Sequence, residues 1–149
     1  MPSNNEWMNR VKAVEREHTA MRFASEYLLN AVQQDPTALK GNLRVRDVNE
    51  SVERLEGTYT IRLFAEFETS LRTYWLASRI TDPPSRTRDL LDGVAARCRI
   101  PHDHIQNAHA VREYRNVLVH ERDEDVDPIP IALSRRHLCM FLSFLPIEW

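Results

Sequence analysis

Glycine is scarce in this chain, with three in 149 residues. That scarcity argues against a fold built on tight hairpins, whose turns lean on glycine. The sequence also contains none of the glycine-framed loops that cradle phosphates, neither Gly-x-Gly-x-x-Gly nor Gly-x-x-x-x-Gly-Lys, and no Gly-x-Ser-x-Gly nucleophile elbow. Cysteine is scarcer still. Cys98 and Cys139 lie far apart without a Cys-x-x-Cys partner, so neither a zinc ribbon nor a redox motif is supported, and both are expected as free, mostly buried thiols. No apolar run approaches the ~18 residues of a membrane span. The start, Met1-Pro2-Ser3-Asn4-Asn5-Glu6, lacks the basic and apolar blocks of a signal peptide. A soluble, cytoplasmic protein without membrane contact is the expectation.

Charge of one sign is absent as well. The formal net charge is -2, which supplies no global field to attract nucleic acid. The cations are nevertheless unusual, since Lys12 and Lys40 are the only lysines and all other cations are arginine. Arginine presents a planar fork of donors suited to phosphate and carboxylate. Codon bias accounts for the same excess, so it permits phosphate recognition without showing it. The length, a hydrophobic fraction of 42% and a charged fraction of 28% fit one ordinary domain with a core of its own.

The hydrophobic spacing is helical throughout. From about Glu6 to Gln34 a stripe runs through Trp7, Val11, Val14, His18, Met21, Ser25, Leu28 and Val32, in steps of three and four. Asp35-Pro36 ends it. His18 falls inside the stripe and reads as a hydrogen-bonded core histidine. A second long helix, about Asp47 to Arg79, carries Val48, Val52, Leu55, Tyr59, Leu63, Phe67, Leu71 and Tyr74, widened by Phe64 and Trp75. Asp47 is the expected N-cap, with Glu50 completing a capping box. Gly57 within it costs about 1 kcal/mol relative to alanine, which points to a bend or a close helix contact. After Asp82-Pro83-Pro84-Ser85 comes a helix over about Thr87–Cys98, facing inward through Leu91, Val94, Ala95 and Cys98. Ile100-Pro101 breaks the chain, and the next helix runs from His102 to His120. An acidic connection, Glu121 to Asp127, leads to a final helix over about Ile131–Leu145. That last helix is apolar on nearly every side, so it is either central or covered by a partner. The expected architecture is all-α, an up-and-down bundle of about five helices in a single domain over 1–149, with the two long helices as an antiparallel pair.

Two polar clusters need weighing. His102, His104 and His109 gather near the start of the fourth helix, with Cys98 the nearest further ligand. A zinc site needs three or four ligands in tetrahedral array, and this spacing matches none, so no metal and no cofactor is expected. The other cluster is Arg115-Asn116-Val117-Leu118-Val119-His120. On an ideal helix Asn116 and His120 share a face, whereas Arg115 falls with Ala108, Val111 and Leu118 on the apolar side. A buried arginine is expensive unless its guanidinium reaches a partner or the edge of the core. By spacing alone this trio reads equally well as structural or functional.

These six residues resemble the hallmark of the HEPN superfamily: an arginine, often followed by Asn, Asp or His, a few mostly apolar residues, and a histidine. Arg115-Asn116-Val117-Leu118-Val119-His120 fits the four-residue spacer form at every position, late in the penultimate helix. The resemblance implies a metal-independent endoribonuclease, of the toxin or antiviral-effector kind, that acts as a homodimer with its motif helices meeting in a cleft. His120 would be general acid or base for attack by the RNA 2′-hydroxyl. Arg115 would hold the scissile phosphate, and Asn116 would orient His120 or the phosphate. Arg112, Tyr114 and Arg122 would contact the substrate. Partners under this reading are RNA, a second copy, and an antitoxin or nucleotidyltransferase. The alternative is a non-catalytic HEPN module that binds a partner protein or nucleotide.

Overall fold

The computed structural model describes residues 2–78, 81–120 and 125–149. Within them the protein is all-helical: α1 (Asn4–Gln34), α2 (Val45–Ala77), α3 (Thr87–Cys98), α4 (His102–His120) and α5 (Ile131–Leu142), with one 3-10 turn at Pro36–Ala38. Each break falls where local chemistry demands it. Ser3 caps α1 by accepting from Glu6 N–H, and Asp35 closes it by receiving Thr37 in a short turn at Pro36. Arg99 adopts left-handed geometry, φ 52, so that Ile100 N–H reaches back 3.0 Å to the Ala95 carbonyl. Pro101 then starts α4, its carbonyl accepting from His104 and Ile105.

The start of α2 differs from expectation. The helix begins at Val45 after Arg44, and Asp47 is its third residue rather than its cap. The Asp47 carboxylate instead reaches back to Arg44 N–H at 2.9 Å, and Glu50 pairs with exposed Arg46. Asp47 still satisfies a free donor of the first turn, from inside the helix.

One contiguous core joins the helices. Leu63, Phe67 and Leu71 of α2 meet Val11 of α1, Leu90, Leu91 and Val94 of α3, Ala108 and Val111 of α4, and Leu138 and Phe141 of α5. Phe67 stands at the centre, its ring 5.5 Å from Phe64 and 5.4 Å, edge on, from Phe141. The termini close over the bundle: Asn4 donates to the Leu145 carbonyl, and Trp149 packs edge-on against Tyr74.

The apolar stripe of α1 is buried only in part. Trp7, Val11, Val14 and His18 lie in the interior, whereas Met21 and Leu28 are exposed. The inward-facing half of α1 is where α5 comes alongside, through Arg135 to Glu15 and Cys139 to Met8. Cover is lost in the middle of the stripe and returns at its far end, where Val32 is buried. His18 is buried against the ring of Tyr59 at 5.7 Å; among the described residues it packs there without the expected side-chain hydrogen bond. The surplus of exposed apolar surface also lies elsewhere than expected. On α5, Leu138, Phe141 and Leu142 are fully buried and Leu133 and Met140 face outward, with exposed Phe144 just past the helix end. Among the described residues, the most exposed large hydrophobic side chains of the helices are Phe23 at 73% and Tyr27 at 74%, on α1. No helix among the described residues is long and apolar enough to cross a membrane.

Two glycines mark close helix contacts. A Cβ on Gly57 would lie 3.2 Å from a methyl of Leu118, so α2 and α4 approach each other there. A Cβ on Gly93 would lie 2.7 Å from the ring of Trp75. That ring is held on two sides, by Arg97 stacked 3.5 Å from its centroid and by the Nε1–H bond to the Thr81 carbonyl. Gly93→Ala is therefore expected to lower stability by about 1–3 kcal/mol through overpacking, despite the better helix propensity of alanine. Gly57→Ala faces only the flexible end of Leu118 and should be near neutral. Denaturant titration of the two variants side by side checks the contrast.

Candidate active site

Helix α4 carries five of the six expected site residues, and it distributes them around its circumference. At about 100° per residue, Arg112, Asn116 and His120 follow one another along one side. Arg115 stands about 140° around the helix from His120. Arg122 lies outside the described residues. His120 is exposed at the last position of α4, and Asn116 is half-buried.

Arg115 reaches inward. Its guanidinium carbon sits 4.6 Å over the ring of Phe64, and Nη2 lies 3.4 Å from Glu68 Oε2. Only 19% of its side chain is exposed. Glu68 is the partner that an arginine on an apolar stripe requires, but it is a shared one. Its other oxygen accepts from Arg72 at 2.8 Å and 3.2 Å and from the Thr87 hydroxyl at 3.1 Å. Arg72 in turn donates to the carbonyls of Pro84 and Ser85, which fastens the segment before α3 to α2. The short bonds of Glu68 thus go to Arg72 and the long one to Arg115. Among the described residues Arg115 Nε is buried with no hydrogen-bond partner. Burial pulls the guanidinium below its ordinary pKa range, Glu68 opposes that, and neighbouring Arg112 adds to it. Arg115 is therefore a half-satisfied cation at the junction of α2, α3 and α4.

Arg112 is held differently. Its Nε–H donates to His109 Nδ1 at 3.2 Å, which places the imidazole proton on Nε2, 2.6 Å from Asp92 Oδ1. Its Nη2 lies 3.3 Å from Glu113. The chain Asp92–His109–Arg112 ties α3 to α4 and sets the arginine's direction.

The remaining histidines disperse. His104 packs on the ring of Phe144 at 5.3 Å, and Cys98 donates its S–H to the Tyr74 hydroxyl at 3.5 Å. Burial and that hydrogen bond push the Tyr74 phenol up to about 12. Among the described residues no three His, Cys, Asp or Glu side chains converge as a metal site would need.

Tyr114 faces away from His120, into a cleft of about 670 Å³ between α2, α4 and the segment that leads into α5. Glu53, Arg54 and Glu56 of α2 line it opposite Tyr114 and Leu118, and Pro128–Pro130 form an apolar wall. Neither Arg115 nor His120 lines it. Glu56 Oε1 accepts from Ile131 N–H at 2.8 Å, where a carboxylate suits the positive end of α5. Burial, and then the charge of Glu56, raise the Tyr114 phenol above its ordinary range, so it stays protonated as a donor near neutrality. The sequence singled out Tyr114 but not its carboxylate neighbours. It also missed Glu68, although an acid beside the apolar row Phe64–Phe67–Leu71–Trp75 was the matching signal for an arginine on an apolar stripe.

Compared with known proteins, the chain matches no protein-family model, and no curated protein or solved structure is significantly similar to it.

Proposed function

We propose that this chain is a metal-independent endoribonuclease of the HEPN type, a toxin or antiviral effector acting on cytoplasmic RNA as a homodimer. The observation that carries the reading is the segment Arg115-Asn116-Val117-Leu118-Val119-His120 at the end of α4 in an all-helical chain, with His120 exposed at the helix terminus. The reaction asks for two things. One is a proton acceptor beside the 2′-hydroxyl, whose oxygen attacks the adjacent phosphorus as the bond to the 5′-oxygen breaks, the departing oxygen taking a proton from water. The other is a cation that stabilises charge on the non-bridging oxygens. Imidazole suits the first near neutral pH and guanidinium the second. The products carry a 2′,3′-cyclic phosphate and a 5′-hydroxyl.

Arg115 supports the second role because its bond to Glu68 is long, at 3.4 Å, so a phosphate oxygen can replace Glu68 as its partner while Arg72 and Thr87 keep Glu68 compensated. The angle between Arg115 and His120 supports the dimer. One copy does not present both side chains on one face, and two motif helices across a twofold axis supply both to a shared groove. An antitoxin or nucleotidyltransferase partner fits a toxin that must be held in check. The nucleophile belongs to the RNA, so cleavage of total cellular RNA by the purified protein should persist in excess EDTA. Activity lost to EDTA and restored by zinc or magnesium contradicts this reading.

A second reading has one observation in its favour. The Arg115–Glu68–Arg72 network is a structural device by itself, and a non-catalytic HEPN module that binds a partner protein or nucleotide needs no more. Overproduction separates the two, since wild type arrests growth only under the first.

A further inference from the structure

The cleft beside Tyr114 is unused by the chemistry proposed for His120, and its lining is specific. We propose that it is a base-recognition pocket for guanine, selecting a nucleotide of the bound RNA from the flank of α4 that faces away from His120, with Glu53 and Glu56 reading the guanine edge, Tyr114 against the base and Arg54 at a phosphate. This deepens the ribonuclease reading and rests on it for RNA as the source of the nucleotide.

The size is right for one nucleotide: about 670 Å³ lies within the ~300–1,000 Å³ of small-molecule sites. Two carboxylates stand one helical turn apart on the same wall, and no ion pair among the described residues engages Glu53, Arg54 or Glu56. An ionised carboxylate is an acceptor only. It therefore selects a ligand with paired N–H donors, to which it binds through two parallel hydrogen bonds. Among the four bases guanine alone offers that edge, N1–H beside the N2 amino group. Adenine and cytosine set one amino group beside a ring-nitrogen lone pair, which a carboxylate repels. Uracil sets one N–H between two carbonyl oxygens. The bond from Ile131 N–H fixes Glu56 Oε1, and among the described residues Oε2 has no hydrogen bond, so one carboxylate is held in place before any ligand arrives. The apolar wall of Pro128 and Pro130 with the Tyr114 ring accepts a flat base, as aromatic side chains do for unstacked RNA bases. Arg54 completes the argument, because one ligand must account for both signs of charge. A guanine nucleotide carries a donor edge and an anionic phosphate, whereas a basic peptide leaves Arg54 opposed.

The test is an NMR titration of the full chain with GMP, AMP, CMP and UMP, following backbone amides. GMP is expected to shift Gly57, Thr58, Leu118 and Ile129 at the lowest concentration. Glu53→Gln should weaken GMP about tenfold to a hundredfold and leave the other three nearly unchanged. Glu53 is chosen because it is exposed and, unlike Glu56, caps no helix. The proposal is overturned if the four nucleotides bind alike, if none perturbs the cleft, if Glu53→Gln leaves GMP binding intact, or if a lysine- and arginine-rich peptide shifts the cleft while GMP does not. Because nucleotide binding is read without cleavage, the two readings fail separately. GMP in the cleft of a protein that never cleaves RNA rejects the ribonuclease. RNA cleavage without a guanine preference rejects the pocket.

Discussion

Arg115→Ala is expected to lower folding stability by about 2 kcal/mol, the scale of losing a charge-assisted hydrogen bond together with the packing of a long side chain. The substitution removes a guanidinium packed 4.6 Å over Phe64 and bonded to Glu68 at 3.4 Å, and it leaves a void at the junction of α2, α3 and α4. Glu68 keeps Arg72 and Thr87, so it is not stranded as an unpaired buried charge, and the loss stays short of global unfolding. Arg115→Met, which retains most of the stem and its contact with Phe64, should recover roughly half of the loss. Arg115→Lys should recover less in activity than in stability, since an ammonium cannot reproduce the planar fork at a phosphate. Chemical denaturation of these variants checks the series. A loss below about 0.5 kcal/mol for Arg115→Ala, the range of ordinary surface substitutions, removes the structural half of the argument. For catalysis the consequence is practical: an inactive Arg115→Ala variant says little unless its folded fraction is measured alongside.

His120→Ala carries no such ambiguity. His120 is exposed at the end of α4 and supports nothing in the core, so its removal should change stability by no more than ~0.5 kcal/mol. RNA cleavage, by contrast, should fall by about 10²–10⁴-fold, the usual contribution of a positioned proton-transfer group. The loss should appear in kcat more than in KM, because proton transfer belongs to the transition state rather than to binding. Single-turnover cleavage of a short RNA gives both numbers. Equal rates for wild type and His120→Ala, with the fold intact, transfer the proton-moving role to another side chain or end the ribonuclease reading.

How much of this was legible in the sequence depends on whether the information is local. The helices were, because a three-four spacing of apolar residues and the breaks at Asp35-Pro36, Pro83-Pro84 and Pro101 each act within a few residues. α3 and α4 begin and end where the spacing places them, at Thr87–Cys98 and His102–His120. What periodicity cannot carry is where along a helix a neighbour lies against it. The stripe of α1 names the buried face at both ends, through Trp7 to His18 and at Val32, but Met21 and Leu28 between them stay exposed. Helix ends shifted for a related reason: Asp47 can serve the first turn from the third position as well as from the cap. The site divides in the same way. Arg115 on an apolar stripe signalled that a partner must exist, and the tertiary fold supplied Glu68, 47 residues earlier in the chain. The link of His109 to Asp92 and the cleft around Tyr114 depend on which helices lie side by side, and no spacing in α4 encodes that.

The central claim is that cleavage uses the RNA's own 2′-hydroxyl, with His120 moving the proton. It is tested most directly by the chemical nature of the new RNA ends, read by mass spectrometry after incubation of a defined oligonucleotide with the purified protein in EDTA. The account predicts a 2′,3′-cyclic phosphate on one product and a 5′-hydroxyl on the other, both absent with His120→Ala. A 3′-hydroxyl with a 5′-phosphate, or an oligonucleotide left intact by the folded wild-type protein, contradicts it.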